Sequence, residues 1–95
     1  MITEKHLQSY LFKLAEVHGI YCRKMETTAR RGFPDVMMIN NGKVVFVELK
    51  SPSTGGSLSK LQERELKRLS KAGANTFVTN TKEGVDNVVA KLINA

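Results

Sequence analysis

Apolar residues recur along this chain at helical and at alternating spacings, and the spacing predicts each element. Leu7, Leu11 and Leu14, joined by Tyr10 and Val17, form the stripe of a first helix running from Thr3, a good N-cap, to about His18. Glu4 extends that stripe at the first turn. Two readings of it stand: an acid favoured by the helix dipole, or a carboxylate turned inward. His6 and His18 lack metal-ligand spacing and read as surface or cap residues. Ile20 to Met25 reads as a strand with Ile20, Cys22 and Lys24 on one side. A polar loop from Glu26 to Gly32 carries Arg30 and Arg31, a pair suited either to phosphate contact or to a solvated loop tip. Pro34 then restricts Phe33 to an extended conformation and leads the chain into Asp35.

The next stretch predicts a β-hairpin, with strands Asp35–Ile39 and Lys43–Lys50 around Asn41-Gly42, a strong type I′ turn signal. Val36, Met38, Val45, Val47 and Leu49 share one face; Met37, Ile39, Val44 and Phe46 share the other. Both faces are apolar, so cover on both sides is expected. Ser51 to Gly56 reads as a flexible loop placed to close over a substrate. Ser59-x-x-Gln62 fits a capping box opening a second helix through Leu61, Leu66 and Leu69 to about Ala72, with Gly73 as C-cap. Its other positions are mostly charged and read as a solvated face, Lys60 being the candidate there for nucleic-acid contact. Asn75–Thr79 is a strand. Thr81 caps a last helix to about Ile93, with the stripe Val85, Val88, Val89 and Leu92. The order predicts an α/β fold, a sheet with helices on both faces, whose last strand joins in parallel through a right-handed crossover.

The turn decides where the charges fall. With a two-residue loop, Asn40 faces Lys43 and Asp35 faces Glu48, with Lys50 on the same side as Glu48. A three-residue loop would put Asp35 opposite Val47, on the other face; Asn-Gly favours the shorter loop. Facing Cβ atoms lie about 5 Å apart. Two carboxylates at about that distance repel by on the order of 3 kcal/mol at an effective dielectric near ~20. Lys50 or a divalent cation would compensate. An ordinary core hairpin with charged ends explains the apolar residues but not three charges on one face.

Length and composition narrow the partners. The chain of 95 residues predicts one domain with a modest core, which oligomerisation would help. Fifteen Lys and Arg against nine Asp and Glu give a net charge of +6, which suits a polyanionic partner as well as plain solubility. Cys22 is the only cysteine, so neither an internal disulfide nor a cysteine zinc cluster forms, and a core position is expected. No window is apolar enough to span a membrane and no signal-peptide pattern precedes the first helix.

Pro34-Asp35 followed by Glu48-Leu49-Lys50 at the ends of one hairpin resembles the PD-(D/E)XK nuclease signature. Gly32-Phe33-Pro34-Asp35, the entering helix with Glu4, and Gln62 after the motif resemble the VRR-NUC (virus-type replication-repair nuclease) family, over essentially the whole chain. The resemblance implies a restriction-endonuclease-like αβββαβ core, a mixed sheet flanked by helices, plus a C-terminal helix. It implies Asp35, Glu48 and the Leu49 backbone carbonyl as ligands of Mg2+ or Mn2+, with Glu4 on the same ion, a second ion or a bound water. Lys50 would orient or help deprotonate the attacking water, or neutralise the phosphate. Gln62 would support the water or Lys50, and its capping-box reading competes with that role. Arg30, Arg31 and Lys60 are the nucleic-acid candidates.

Two functions of different class compete. The first is a metal-dependent DNA endonuclease, selective for flap, branched or four-way-junction DNA in replication, repair or recombination. It would act as a homodimer inside a bacterium or phage-infected cell, with no membrane association. The second is a non-catalytic nucleic-acid-binding module on the same fold, for which the acidic cluster is a liability. A small assembly or inhibitor protein explains the charge poorly.

Overall fold

A computed structural model describes residues 2–25, 32–52 and 57–94. The elements are α1 (Glu4–Val17), β1 (Tyr21–Lys24), β2 (Val36–Asn40), β3 (Lys43–Leu49), α2 (Lys60–Lys71), β4 (Asn75–Thr79) and α3 (Lys82–Ile93). The strands form one sheet in the order β1-β2-β3-β4, antiparallel except for the parallel β3–β4 pair. The expected αβββαβ order with a closing helix is therefore the one adopted.

The hairpin turn fixes the register of this sheet. Asn41 and Gly42 both take positive φ, 49° and 79°, as a type I′ loop requires. Asn40 then faces Lys43, and Val36 faces Val47. Asn40 also donates to the Leu92 carbonyl at 3.0 Å, tying the turn to the end of α3.

Helices α1 and α3 cover one sheet face, where Val36, Met38, Val45, Val47 and Leu49 meet Leu7, Leu11 and the α3 residues Val85, Val88, Val89 and Leu92. Cys22 is buried there, as expected. Tyr10 donates to Asp86 at 2.6 Å and links the two helices. The α1 stripe differs from its sequence reading. It runs Leu7, Leu11, Ala15, with Leu14 only half-buried, and Val17 is 76% exposed. Val17 follows Ala15 by two residues and so points about 200° away from it.

The second face departs from the expected cover. Among the described residues α2 is the one helix that packs there, against β4, with the Ser70 and Thr76 hydroxyls 3.2 Å apart in that contact, and Phe33 lies on Phe46. Val44 and Val78 remain exposed, and Met37, Ile39 and Phe46 are half-buried. Leu61, expected inside, is exposed: α2 buries Glu65 and Leu66 instead, and Leu61 lies about 140° round the helix from Leu66. Glu65, expected in the solvated face, is buried with Arg68 at 3.6 Å.

The turn gives a direct check on the register. Gly42→Val puts a β-branched side chain at positive φ and is expected to lower unfolding free energy by about 1–2 kcal/mol. Urea denaturation measures it, with an unchanged m-value.

Candidate functional site

Three elements deliver charged side chains to the open end of the hairpin. Phe33 packs edge-on against Phe46 with centroids 5.6 Å apart, and Pro34 is fully buried, so the segment before β2 is pinned to the sheet. Asp35 therefore enters at a fixed height. Its backbone carbonyl accepts from Met25 at 2.7 Å, and its Oδ2 accepts from the Leu49 amide at 2.9 Å. The register of β2 on β3 then sets Asp35 across from Glu48.

Glu48 is 2% exposed, a carboxyl inside the protein. Its Oε2 accepts from Gln62 Nε2 at 3.0 Å and lies 3.9 Å from Lys50 Nζ, too long for a hydrogen bond. Its Oε1 is buried and takes no hydrogen bond among the described residues. Burial raises the Glu48 pKa from the ordinary 4.5 to about 8; the Asp35 charge, hydrogen bonding with Asp35 and the Glu4 charge push the same way, and Lys50 opposes them.

Gln62 completes its capping box and also reaches the site, though on Glu48 rather than on Lys50 or a water as expected. Its Oε1 accepts from the Ser59 amide at 2.9 Å while Ser59 Oγ accepts from the Gln62 amide at 3.1 Å, completing the capping box. Its Nε2 remains free to hold Glu48. A primary amide has donors and acceptors at opposite ends, so one side chain can cap α2 and orient the buried carboxyl.

Gly32, read in the sequence only as part of the Gly32-Phe33-Pro34-Asp35 motif, has a packing role that the motif did not reveal. With φ of 85°, a Cβ there would lie 2.5 Å from the Leu61 carbonyl oxygen and 2.8 Å from the Gln62 amide nitrogen. The chain before Asp35 thus runs against the first turn of α2, and only glycine permits that approach. The sequence signal was present: a glycine directly before Phe33-Pro34-Asp35.

The other candidates sort by position. Glu4 sits at the mouth, its Oε1 3.4 Å from the Ser51 amide, near enough to act on Glu48 electrostatically. Lys50 is half-buried beside Glu48. Lys60 is exposed and, two residues before Gln62, points about 200° round α2 from the site. Arg30 and Arg31 lie outside the described residues, as does the 53–56 stretch of the loop expected to close over a substrate.

The donor set suits a hard cation. Among the described residues, no three His, Cys, Asp or Glu side chains converge on one ion. Mg2+ does not need such a cage: it takes one or two carboxylates and keeps several waters. Asp35 and Glu48 would be that pair. The buried, unsatisfied Glu48 Oε1 is the atom that either a shared proton or a cation would satisfy.

The chain is similar to known proteins. A family model for the PD-(D/E)XK nuclease superfamily matches residues 2–94. A protein of Acyrthosiphon pisum secondary endosymbiont phage 1, named "Putative nuclease p44", is 36% identical over 81 residues, 84% of this chain and 81% of the phage protein. A solved structure described as "VRR_NUC domain" superposes with a TM-score of 0.81 at 31% identity, covering 94% of this chain and 97% of that one. Another, described as "VRR_NUC domain protein", superposes with a TM-score of 0.81 at 16% identity, a likeness of fold, over 98% of this chain and 89% of that one.

The buried carboxyl makes stability depend on pH. Folded Glu48 holds its proton more tightly than the unfolded chain does. Its contribution is therefore complete below pH 4.5 and is lost as pH rises to about 8. In EDTA the melting temperature is expected to fall across that window, and Glu48→Gln to flatten the fall. Thermal melts at stepped pH measure both.

Proposed function

Because this chain belongs to the VRR-NUC branch of the PD-(D/E)XK nuclease superfamily, and is by family a nuclease, we propose that Asp35, Glu48 and Lys50 form the cutting centre of a metal-dependent DNA endonuclease. The observation that carries this reading is the buried Glu48 carboxyl paired with Asp35 across the hairpin, with Lys50 beside it. An ordinary core offers no reason to keep such a pair.

Asp35, Glu48 and the Leu49 carbonyl would hold Mg2+ or Mn2+, with Glu4 joining from the mouth. When bound, the ion acidifies water and offsets charge growing on the phosphate. Glu48 is held in one orientation by Gln62, so the carboxylate pair keeps its geometry without substrate. Lys50 would orient the attacking water or neutralise the phosphate as its ammonium, or take the water's proton as its neutral amine. No histidine stands in the site among the described residues, so proton handling would fall to Lys50 and the ion. The net charge of +6 draws the polyanionic substrate. Arg30 and Arg31, next to Gly32 in sequence, are the proposed phosphate contacts, while Lys60 would touch only DNA that wraps over α2.

Selectivity for flap, branched or four-way-junction DNA belongs to the proposal, as does a homodimer, because symmetric cutting needs two sites and this chain supplies one. Among the described residues, no helix is long and apolar enough to cross a membrane.

Plasmid, flap and junction DNA incubated with Mg2+ or Mn2+ test the reading. Asp35→Ala and Lys50→Ala are each expected to slow cleavage at least about a hundredfold, and EDTA to stop it. Cleavage that survives both substitutions removes the site assignment. Metal-independent binding with a steep salt dependence, and no cutting of any substrate, marks the binding module instead.

A further inference from the structure

We infer that the sheet face beside the carboxylates is a platform for an unpaired nucleic-acid strand, on which Tyr21 stacks against a base and Arg23 holds a phosphate. The inference rests on the nuclease reading for its substrate class, and its geometry is independent of that reading.

Strand pairing lays this face out in rungs. Asp35, Glu48 and Val78 form the first, at the site. Arg23, Met37, Phe46 and Thr76 form the second. Tyr21, Ile39 and Val44 form the third. Successive rungs are two residues apart, about 6.8 Å. A chain leaving the site along this face thus meets first a cation, then an aromatic ring.

The face is open. Helices α1 and α3 occupy the opposite side, and α2 packs at the β4 edge. Tyr21 is 48% exposed and Val44 37%. Arg23 lies over the Tyr21 ring, 4.5 Å from its centroid, and donates Nη1 to the Cys22 carbonyl at 3.0 Å. A guanidinium has five N–H donors, so most remain for a phosphate. Phe12, Glu16, Tyr21 and Arg23 also line a groove of about 290 Å³ at the β1 edge, between α1 and the strand.

Unpaired strand fits this surface better than duplex or a second copy. Bases inside a duplex are stacked on each other and offer no free π-face, whereas an unpaired base stacks on aromatic side chains irrespective of sequence. A second copy would need to bring an acid to Arg23. On the strands of this face the described carboxylates are Asp35 and Glu48, which the site uses; Glu16 borders the β1-edge groove from α1, off the face.

The test reads binding in EDTA, where no cutting occurs. Fluorescence anisotropy compares a labelled single strand with a blunt duplex of the same length. Tyr21→Ala is expected to weaken single-strand binding roughly tenfold and duplex binding less than about twofold, with Tyr21→Phe keeping wild-type affinity. Arg23→Gln is expected to lower the single-strand salt slope by about 0.7. Denaturation midpoints of the variants check folding. Equal losses for strand and duplex, or no loss in either, overturn the platform. So does a dimer that Val44→Glu splits while single-strand binding is unchanged, which would make the face a subunit contact. Failure of the nuclease reading shows separately, as absence of cleavage by the wild type with Mg2+ or Mn2+.

Discussion

Asp35 and Glu48 face each other because a two-residue turn and an antiparallel ladder leave them no alternative. The ladder is held by backbone hydrogen bonds along the whole hairpin, so the repulsion of one pair, on the order of 3 kcal/mol, cannot unzip it. The strain is handled locally. Asp35 takes the Leu49 amide, Glu48 takes Gln62, and Glu48 keeps a proton up to about pH 8. Lys50, at 3.9 Å, is too distant to complete the compensation. The hairpin thus gathers acidic groups at its open end, a property of register before it is a property of any ligand.

Helix α2 fixes that arrangement. Its first turn receives the chain at Gly32 and sends Gln62 back to Glu48. The same amide closes the capping box, so the start of the helix and the orientation of the carboxyl are one structural event. Disturbing the cap would disturb the site. The helix covers little of the sheet beyond β4, and this leaves the site at the edge of an open, partly apolar face where a polymer has room to lie.

Much of the architecture was legible because it depends on local signals. Thr3, Ser59 and Thr81 cap the three helices as their side chains suggest. The Val85, Val88, Val89, Leu92 stripe is buried throughout, and Asn41-Gly42 forms its expected turn. The misreadings share a cause. Val17 and Leu61 are apolar but lie off the contact line, and Ala15 and Glu65 are small or charged yet lie on it. Apolar spacing defines a stripe only to within one helical position. Which position is buried depends on where the sheet ends beneath the helix.

The site divides in the same way. Sequence determined that Asp35, Glu48 and Lys50 share one end and one face, since alternation along a strand and the length of an Asn-Gly turn are local rules. It also presented Gln62 as a cap and as a partner of the site, without choosing. Only the tertiary structure could make both true, because the distance from Gln62 to Glu48 depends on how closely α2 approaches the sheet, and Gly32 sets that approach. Burial of Glu48, and with it the rise in its pKa, was likewise decided by packing: desolvation is the work of all the surrounding chain, and no short stretch of sequence encodes it.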